Sequence, residues 1–431
     1  MRCCRTLILI FTVVLFARTV SAADSPKRLT LPNGLRVVLK PSWSTDVVAI
    51  ELLLGISAED EPSNQNGLRY LCQRLLLRGS EHTGGAAMSE RLASVGGVAD
   101  ATVGLDYVEI YALVPADGFE VALEILADAV QHPALAPSEI NRQRIQIQDF
   151  ARAARQEPFQ ETYLAFRESL YGNHPYGALT FGGGSIDAIE RDDIVAFHRR
   201  HYVPNRAVLA ICGGVGEARA LRCARKLFDE WEEGNPRASE TRSISELRTS
   251  EICVRERPLR RAHIILGFPA PAADKTGYYA AQVIDAVIGG GFTARLPYKL
   301  REELGIAYTT SSFYPTLASD SHLAVYVVTE PYHLSAVKAA IIELFRELAE
   351  EPLPEEELAR AQSYLLGSYA LSHQRMREQA YALAWYEILG LGVTFEGRYA
   401  EAISAVTADD VQTTASLLFR KFVLAIALPE G

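Results

Sequence analysis

The chain repeats itself, and the repeat limits it to folds built from two equivalent halves. Residues 137–144, Pro-Ser-Glu-Ile-Asn-Arg-Gln-Arg, correspond to residues 354–361, Pro-Glu-Glu-Glu-Leu-Ala-Arg-Ala, 217 positions later. Residues 186–194, Ile-Asp-Ala-Ile-Glu-Arg-Asp-Asp-Ile, correspond to residues 403–411, Ile-Ser-Ala-Val-Thr-Ala-Asp-Asp-Val, again 217 positions later. Val208-Leu-Ala-Ile211 returns as Val423-Leu-Ala-Ile426 at a spacing of 215. Helix-start residues look alike in many proteins, but that does not produce three matches in one order at nearly one spacing. Each half follows one plan: an early strand, helices, an acid-capped helix and a closing strand.

Local patterns fill in the plan. Arg28 to Leu39 reads as two short strands joined at Asn33-Gly34, a hairpin signal. Val47–Leu54 is a mostly apolar strand, and 119–130 and 138–155 have helical periodicity. In the second half, 262–268 and 323–328 read as strands, and 334–349 and 355–390 as helices. Strands and long helices are mixed, so the expected fold is α+β, with two duplicated domains, each a mostly antiparallel sheet with helices packed on it. The expected division is 24–235 and 253–431, with a polar, aperiodic linker at 236–252.

Residues 1–23 have the pattern of a secretory signal peptide. Arg2 and Arg5 precede an uncharged run from Thr6 to Ala17, and Val20-Ser21-Ala22 offers small residues for cleavage. Arg18 closes the apolar run too early for a membrane anchor. Loss of this segment removes three arginines and no acids, taking the net charge from −10 to −13. An acidic chain argues against nucleic acid as the main partner. No later stretch is long and apolar enough to predict stable membrane insertion. The expected location is exported, periplasmic. Cys72, Cys212, Cys223 and Cys253 lack Cys-x-x-Cys spacing, which disfavours a cysteine zinc site, and their pairing is left open.

The segment from Gly67 to Gly79 reads as a helix with Leu68, Leu71, Leu75 and Leu76 on one apolar face. Together with several other stretches it resembles the insulinase (pitrilysin, or inverzincin) metallopeptidase family. These stretches are Leu31-Pro-Asn-Gly-Leu-Arg36, Asn173-His-Pro-Tyr-Gly177, Tyr202-Val-Pro-Asn-Arg206, Gly289-Gly-Gly-Phe-Thr-Ala-Arg-Leu296 and Leu300-Arg-Glu-Glu-Leu-Gly-Ile-Ala-Tyr308. The resemblance covers nearly the whole chain beyond the leader. In that family the helix carries H-x-x-E-H: two zinc-binding histidines and a Glu that deprotonates the metal-bound water. Here the five positions read Tyr70-Leu71-Cys72-Gln73-Arg74. Tyr70 and Arg74 stand at the histidine positions and Gln73 at the base position. Arginine cannot ligate zinc, and glutamine cannot take a proton from water. The family's distant carboxylate ligand falls near Gln148-Asp149-Phe150, which makes Asp149 the surviving candidate.

No replacement site stands out. His198 and His201 are one turn apart but sit at a helix end before a strand, and His174 precedes Pro175 in a turn. Ser185, after three glycines, lacks a nucleophile-elbow motif, and Gly289-Gly290-Gly291 lacks the P-loop Lys and Ser. No catalytic or metal residue is therefore expected on this chain, with zinc expected in a partner.

The second half keeps Arg301 and Tyr308 at the family's spacing. There, the resemblance implies, such a pair grips the peptide backbone near the scissile bond and helps stabilise the oxyanion. The expected function is that of a non-catalytic subunit of an exported zinc metallopeptidase, one of a class of pseudoproteases. It would pair as a heterodimer with an H-x-x-E-H chain, or with itself, and act on unfolded peptides. The alternative is a structural or scaffolding protein of the same fold without peptidase activity.

Overall fold

The protein, seen in a computed structural model, is described over residues 25–62, 64–178, 184–235, 247 and 250–430. The expected leader at 1–23 and most of the expected linker lie outside the described residues. So does the side chain of Ser185.

Two sheets of one strand order account for the internal repeat. The first runs β1-β2-β6-β3-β5-β4, from β1 (Lys27–Thr30), β2 (Arg36–Pro41), β3 (Val47–Leu54), β4 (Val98–Val103), β5 (Val108–Pro115) and β6 (Ala207–Gly213). The second runs β7-β11-β8-β10-β9, from β7 (Glu251–Arg257), β8 (Ala262–Ala270), β9 (Ala307–Phe313), β10 (Ser321–Thr329) and β11 (Val423–Pro429). With β1 set aside, position by position the order is the same. The one parallel pair also recurs: β2 with β6, and β7 with β11. The other neighbours are antiparallel. β1 and β2 form the expected hairpin, and Gly34 turns the chain at φ +84°, where a side chain would be strained. β7 begins at Glu251, so the end of the expected linker is already strand.

In the first half the helices are α1 (Leu68–Leu75), α2 (Gly85–Ser94), α3 (Phe119–Gln131), α4 (Pro137–Gln156), α5 (Pro158–Tyr171), α6 (Arg191–His201) and α7 (Glu217–Phe228). The second half has α8 (Tyr278–Gly289), a short α9 (Arg295–Pro297), α10 (Leu334–Glu350), α11 (Glu355–Ser372), α12 (Met376–Ile388), α13 (Phe395–Ser404) and α14 (Ala408–Leu418). The acid-capped helices expected from the repeat are α6 and α14. Each opens with a capping box, Glu190 with Asp193 and Thr407 with Asp410.

The halves exchange helices. α12 packs on β3 and β6 of the first sheet, joining Leu383 and Ala384 to Ala49, Leu53, Val208 and Ala210. α5 packs on β8 and β11 of the second sheet, joining Ala165 and Phe166 to Ile265 and Ala425. The opposite face of the first sheet is covered by α1, α3 and other helices of its own half. α8, α10 and α14 do the same for the second. Each sheet is therefore buried on both faces, once by its own half and once by a borrowed helix. The expected single helix over 355–390 is instead two, broken at His373–Arg375, and that break lets α12 turn away toward the other half. The same crossing on the first-half side occurs at Glu157, before Pro158.

Polar contacts tie the borrowed helices down. On α5, Glu161 pairs with both Arg255 and Arg257 of β7. On α12, Glu387 pairs with Arg28 at 2.8 Å, and its backbone carbonyl accepts from Arg36 at 2.6 Å. His322 of β10 is fully buried between Tyr171 and Tyr163 of α5, at 2.6 and 2.9 Å. Burial lowers its pKa to about 3, so the ring is neutral and mediates both hydrogen bonds without charge.

Candidate functional site

The helix at the metal-motif position is intact as structure. Leu68, Leu71, Cys72 and Leu75 of α1 are buried in the first core. Glu61 caps its start by accepting from the backbone N–H of Gly67 and Arg69 at 3.1 and 2.7 Å. Arg69, also fully buried, donates to the carbonyls of Ile56, Gly104 and Tyr107 and so locks the helix to the loop before β5.

The three substituted positions have new structural duties. Gln73 is fully buried; its Nε2 donates to the carbonyl of Glu109 at 2.6 Å and its Oε1 accepts from Tyr202 at 2.9 Å. Arg74 lies 5.9 Å over the ring of Phe150 and donates to Gln143 at 3.2 Å. Tyr70 is half-buried at the edge of the first core. Asp149, the candidate acid, is exposed and pairs with Arg152 at 2.5 Å, one turn along its own helix. Beside it on α4, Phe150 is the residue whose ring meets Arg74. This donor set, an amide committed on both ends, a guanidinium and a phenol beside an aromatic ring, does not fit zinc. No group of three His, Cys, Asp or Glu with metal-binding geometry occurs among the described residues.

The histidines weighed for metal binding have other partners. His198 bonds the carbonyl of Val130 at 2.8 Å, and His201 bonds Arg206 at 2.9 Å and lies 3.5 Å from Asp60. Burial lowers both to about 4. His174 pairs with Glu59 at 3.0 Å. Cys72, Cys212, Cys223 and Cys253 are free thiols, and burial pushes those of Cys72 and Cys212 up to about 12.

Arg301 and Tyr308 come together on the second half. Arg301 sits in a π-helical turn, Tyr298–Glu303, a local widening often found at functional positions. Its guanidinium lies 5.1 Å over Phe292 and 5.9 Å over Tyr308. Both rings are open to solvent, 78% and 79% exposed, which is unusual for large aromatic residues. Local backbone features aim all three. In the β9–β10 ladder Thr309 faces Val328 and Ala307 faces Thr329, which leaves Tyr308 as the extra residue of a bulge and turns its ring outward. Gly289, Gly290 and Gly291 precede Phe292; a Cβ on Gly289 would meet Ser312 and one on Gly290 the Ala286 carbonyl, and Gly291 has φ +103°. The sequence signature drew attention to Arg301 and Tyr308. Phe292 was overlooked, although it lies within a stretch that carried the resemblance.

A further group spans the halves beside α1. Glu109 of β5 pairs with Arg377 of the borrowed α12, whose guanidinium covers the ring of Tyr111 at 3.8 Å. Glu51 of β3 is fully buried nearby. Burial first, and then the Glu109 carboxylate, hold it well above the usual carboxylate range.

Comparison with known proteins agrees with this architecture. Residues 36–182 match the family model described as insulinase (peptidase family M16), and residues 188–365 match the one described as peptidase M16 inactive domain. Among curated proteins, an uncharacterized zinc protease of Mycobacterium leprae is 25% identical over 91% of this chain and 89% of its own length. The uncharacterized zinc protease YmxG of Bacillus subtilis is 24% identical over 94% and 98%. Among solved structures, a peptidase M16 inactive domain from Pseudomonas fluorescens superposes with a TM-score of 0.88 at 19% identity, covering 94% of this chain and 98% of that one. A protease from Helicobacter pylori superposes at 0.87 with 18% identity, covering 94% and 100%. With its two repeated sheets, a helix at the motif position without the motif, and these matches along most of its length, the chain belongs to the insulinase (M16) peptidase family.

Proposed function

We propose that this protein is the non-catalytic subunit of an exported, periplasmic insulinase-type zinc metallopeptidase. An H-x-x-E-H partner supplies the metal and the general base, and this chain supplies Arg301, Tyr308 and a peptide-binding surface. The observation that carries the reading is a contrast between two places on one chain. At the motif helix Gln73, at the base position, is absorbed into the core at both ends of its amide, whereas Phe292 and Tyr308 flank Arg301 and still face solvent.

The chemistry of that stack suits a peptide carbonyl. Two aromatic faces and a 2.9 Å bond from Nε to Glu302 hold the Arg301 guanidinium, which orients its terminal nitrogens before substrate arrives. Its free N–H groups and the Tyr308 hydroxyl are donors to a carbonyl oxygen, and such donors are worth more as negative charge develops on that oxygen. The substrate would be an unfolded peptide, added as a strand along an open sheet edge such as β4 or β9. Zinc in the partner would supply the activated water; no residue of this chain takes part in that step. The family membership and the zinc-protease names of its relatives support the link to peptide hydrolysis.

The test is co-purification with the product of any neighbouring gene that bears H-x-x-E-H. The expected result is a complex that cleaves unfolded peptides with zinc dependence, while this chain alone is inactive. Zinc-dependent cleavage by this chain alone overturns the reading. Recovery in a large assembly with no catalytic relative replaces it with a scaffolding role.

A further inference from the structure

We infer that a small cavity beside the motif helix is an anion-binding subsite, with Arg74 and Arg78 as its cations and a carboxylate as its ligand. The inference rests on the reading above only in taking that carboxylate to belong to a bound peptide. Arg74 lies on α1 and Arg78 on the 3₁₀ turn that follows it, where Leu77 leaves helical geometry. Both line a cavity of about 130 Å³ that Met88 and Leu92 of α2 close on one side and Asp100 and Ala101 of β4 on another. Pockets for drug-sized ligands run to about 300–1,000 Å³, so this one suits a small head group.

The two arginines are differently prepared. Arg74 uses Nε on Gln143 and its face on Phe150, which fixes the plane of the guanidinium and leaves its terminal nitrogens for a ligand. Arg78 is exposed and has no hydrogen-bond or ion-pair partner among the described residues. Asp100 is the only acid among the described residues that line the cavity; one of its oxygens accepts from the backbone N–H of Ala101 at 2.8 Å. The lining therefore carries two cations against one anion. That balance repels a metal ion and favours a carboxylate, which two guanidinium forks hold by parallel hydrogen bonds.

The cavity adjoins β4, the outermost strand of the first sheet, whose far side no other strand covers among the described residues. A peptide added to that edge would pass the arginines, and either its C-terminal carboxylate or an Asp or Glu side chain could enter. The shared chemistry is a carboxylate, and the two sources can be separated.

The experiment uses the full chain and three fluorescein-labelled unfolded peptides of Ser, Val and Gly. One is amidated and neutral, one has a free C-terminus, and one is amidated with a single internal Glu. A carboxylate-bearing peptide is expected to bind about tenfold more tightly than the neutral amide. Arg78→Glu should abolish that preference and leave the neutral amide unchanged. Preference for the free acid identifies the terminus as the source, and preference for the Glu peptide identifies the side chain. Equal binding of all three, or a preference that survives Arg78→Glu, overturns the subsite. A second measurement stands apart from peptide binding: acetate titrated into protein with isotope-labelled arginine, read by NMR at Nε. Saturable shifts at Arg74 and Arg78 are expected and should vanish in Arg78→Glu. Shifts without binding of any peptide would keep the anion site and remove the peptide-binding reading; no shifts would remove the anion site itself.

Discussion

Tyr202 donates a 2.9 Å hydrogen bond to Gln73, so the residue at the catalytic-base position is held from the far end of the first half. Tyr202 precedes the closing strand, and Gln73 passes the connection on to the backbone of Glu109 in β5. Both ends of the amide are used inside the core. Tyr202→Phe leaves Gln73 Oε1 buried without its donor and is expected to cost about 1–2 kcal/mol in urea unfolding. Gln73→Glu places an acceptor against the Glu109 carbonyl and should cost more, with a penalty that grows as pH rises. If both variants unfold at the wild-type midpoint, Gln73 is not the structural link described.

Restoring the motif on paper should not restore the metal site. The triple variant Tyr70→His/Gln73→Glu/Arg74→His supplies two imidazoles and a base, but Phe150 faces them and Asp149 points to solvent with Arg152. Metal analysis after dialysis should find less than stoichiometric zinc. Adding Phe150→Glu is expected to raise zinc occupancy, because a carboxylate then stands where the ring now lies. Full zinc occupancy in the triple variant would show that some other acid reaches the site.

Glu51 predicts an unusual pH profile. Its folded-state pKa lies above the unfolded value of about 4.5, so the folded chain keeps a proton that the unfolded chain releases. The associated stability is therefore complete below about pH 4.5 and is lost as pH rises toward the folded value. Glu51→Gln carries no proton to lose. It should match wild type near pH 4 and exceed it by about 1–3 kcal/mol at pH 7. A stability difference that stays flat between those pH values would contradict this account of Glu51.

The pair between Glu109 and Arg377 joins the first sheet to the borrowed α12. Arg377→Ala strands a buried carboxylate and is expected to destabilise by about 3 kcal/mol. The double variant Arg377→Ala/Glu109→Gln should recover much of that loss, since it removes the orphaned charge as well. Thermal unfolding of the four members of the cycle measures this directly, and simple additivity would sever the proposed coupling.

In the proposed complex with an H-x-x-E-H partner, Arg301→Ala should lower kcat by about 10²–10³-fold with little change in KM. Phe292→Ala removes one face of the stack and should lower kcat several-fold, at about 0.5–1 kcal/mol for an exposed cation–aromatic contact. Because Phe292 is exposed, Phe292→Ala should leave the unfolding midpoint unchanged. A complex that keeps full activity with Arg301→Ala contradicts the proposed role.

What the sequence revealed depended on whether the cause was local. Asn33-Gly34 announces its hairpin because the turn needs a positive φ, and the repeat is visible because α6 and α14 begin with matching acid caps. The split of 355–390 was hidden because His373-Gln374-Arg375 contains no Gly or Pro. α12 gives no clean amphipathic signal either: Ala380, Ala382, Leu383, Ala384, Trp385 and Tyr386 bury most of its circumference. α5 was missed for a related reason, since the sheet it covers lies in the other half. On α4 the question was one of rotation. Asp149 and Phe150 are adjacent, about 100° apart around a helix, and only the packing decides which of them meets Arg74. The outward turn of Tyr308 comes from a bulge that no period-two pattern encodes.

The reciprocal loan of α5 and α12 has a consequence for synthesis. When Gly213 leaves the ribosome all six strands of the first sheet have been made, yet the helix that covers Ala49, Leu53, Val208 and Ala210 ends at Ile388 and does not yet exist. The nascent chain must therefore carry an open apolar sheet through the making of some 170 further residues. Such a surface is the kind that molecular chaperones hold, and that aggregates where none is present. Maturation is then a single late closure of both halves, and truncation anywhere before α12 leaves even the first half unfinished.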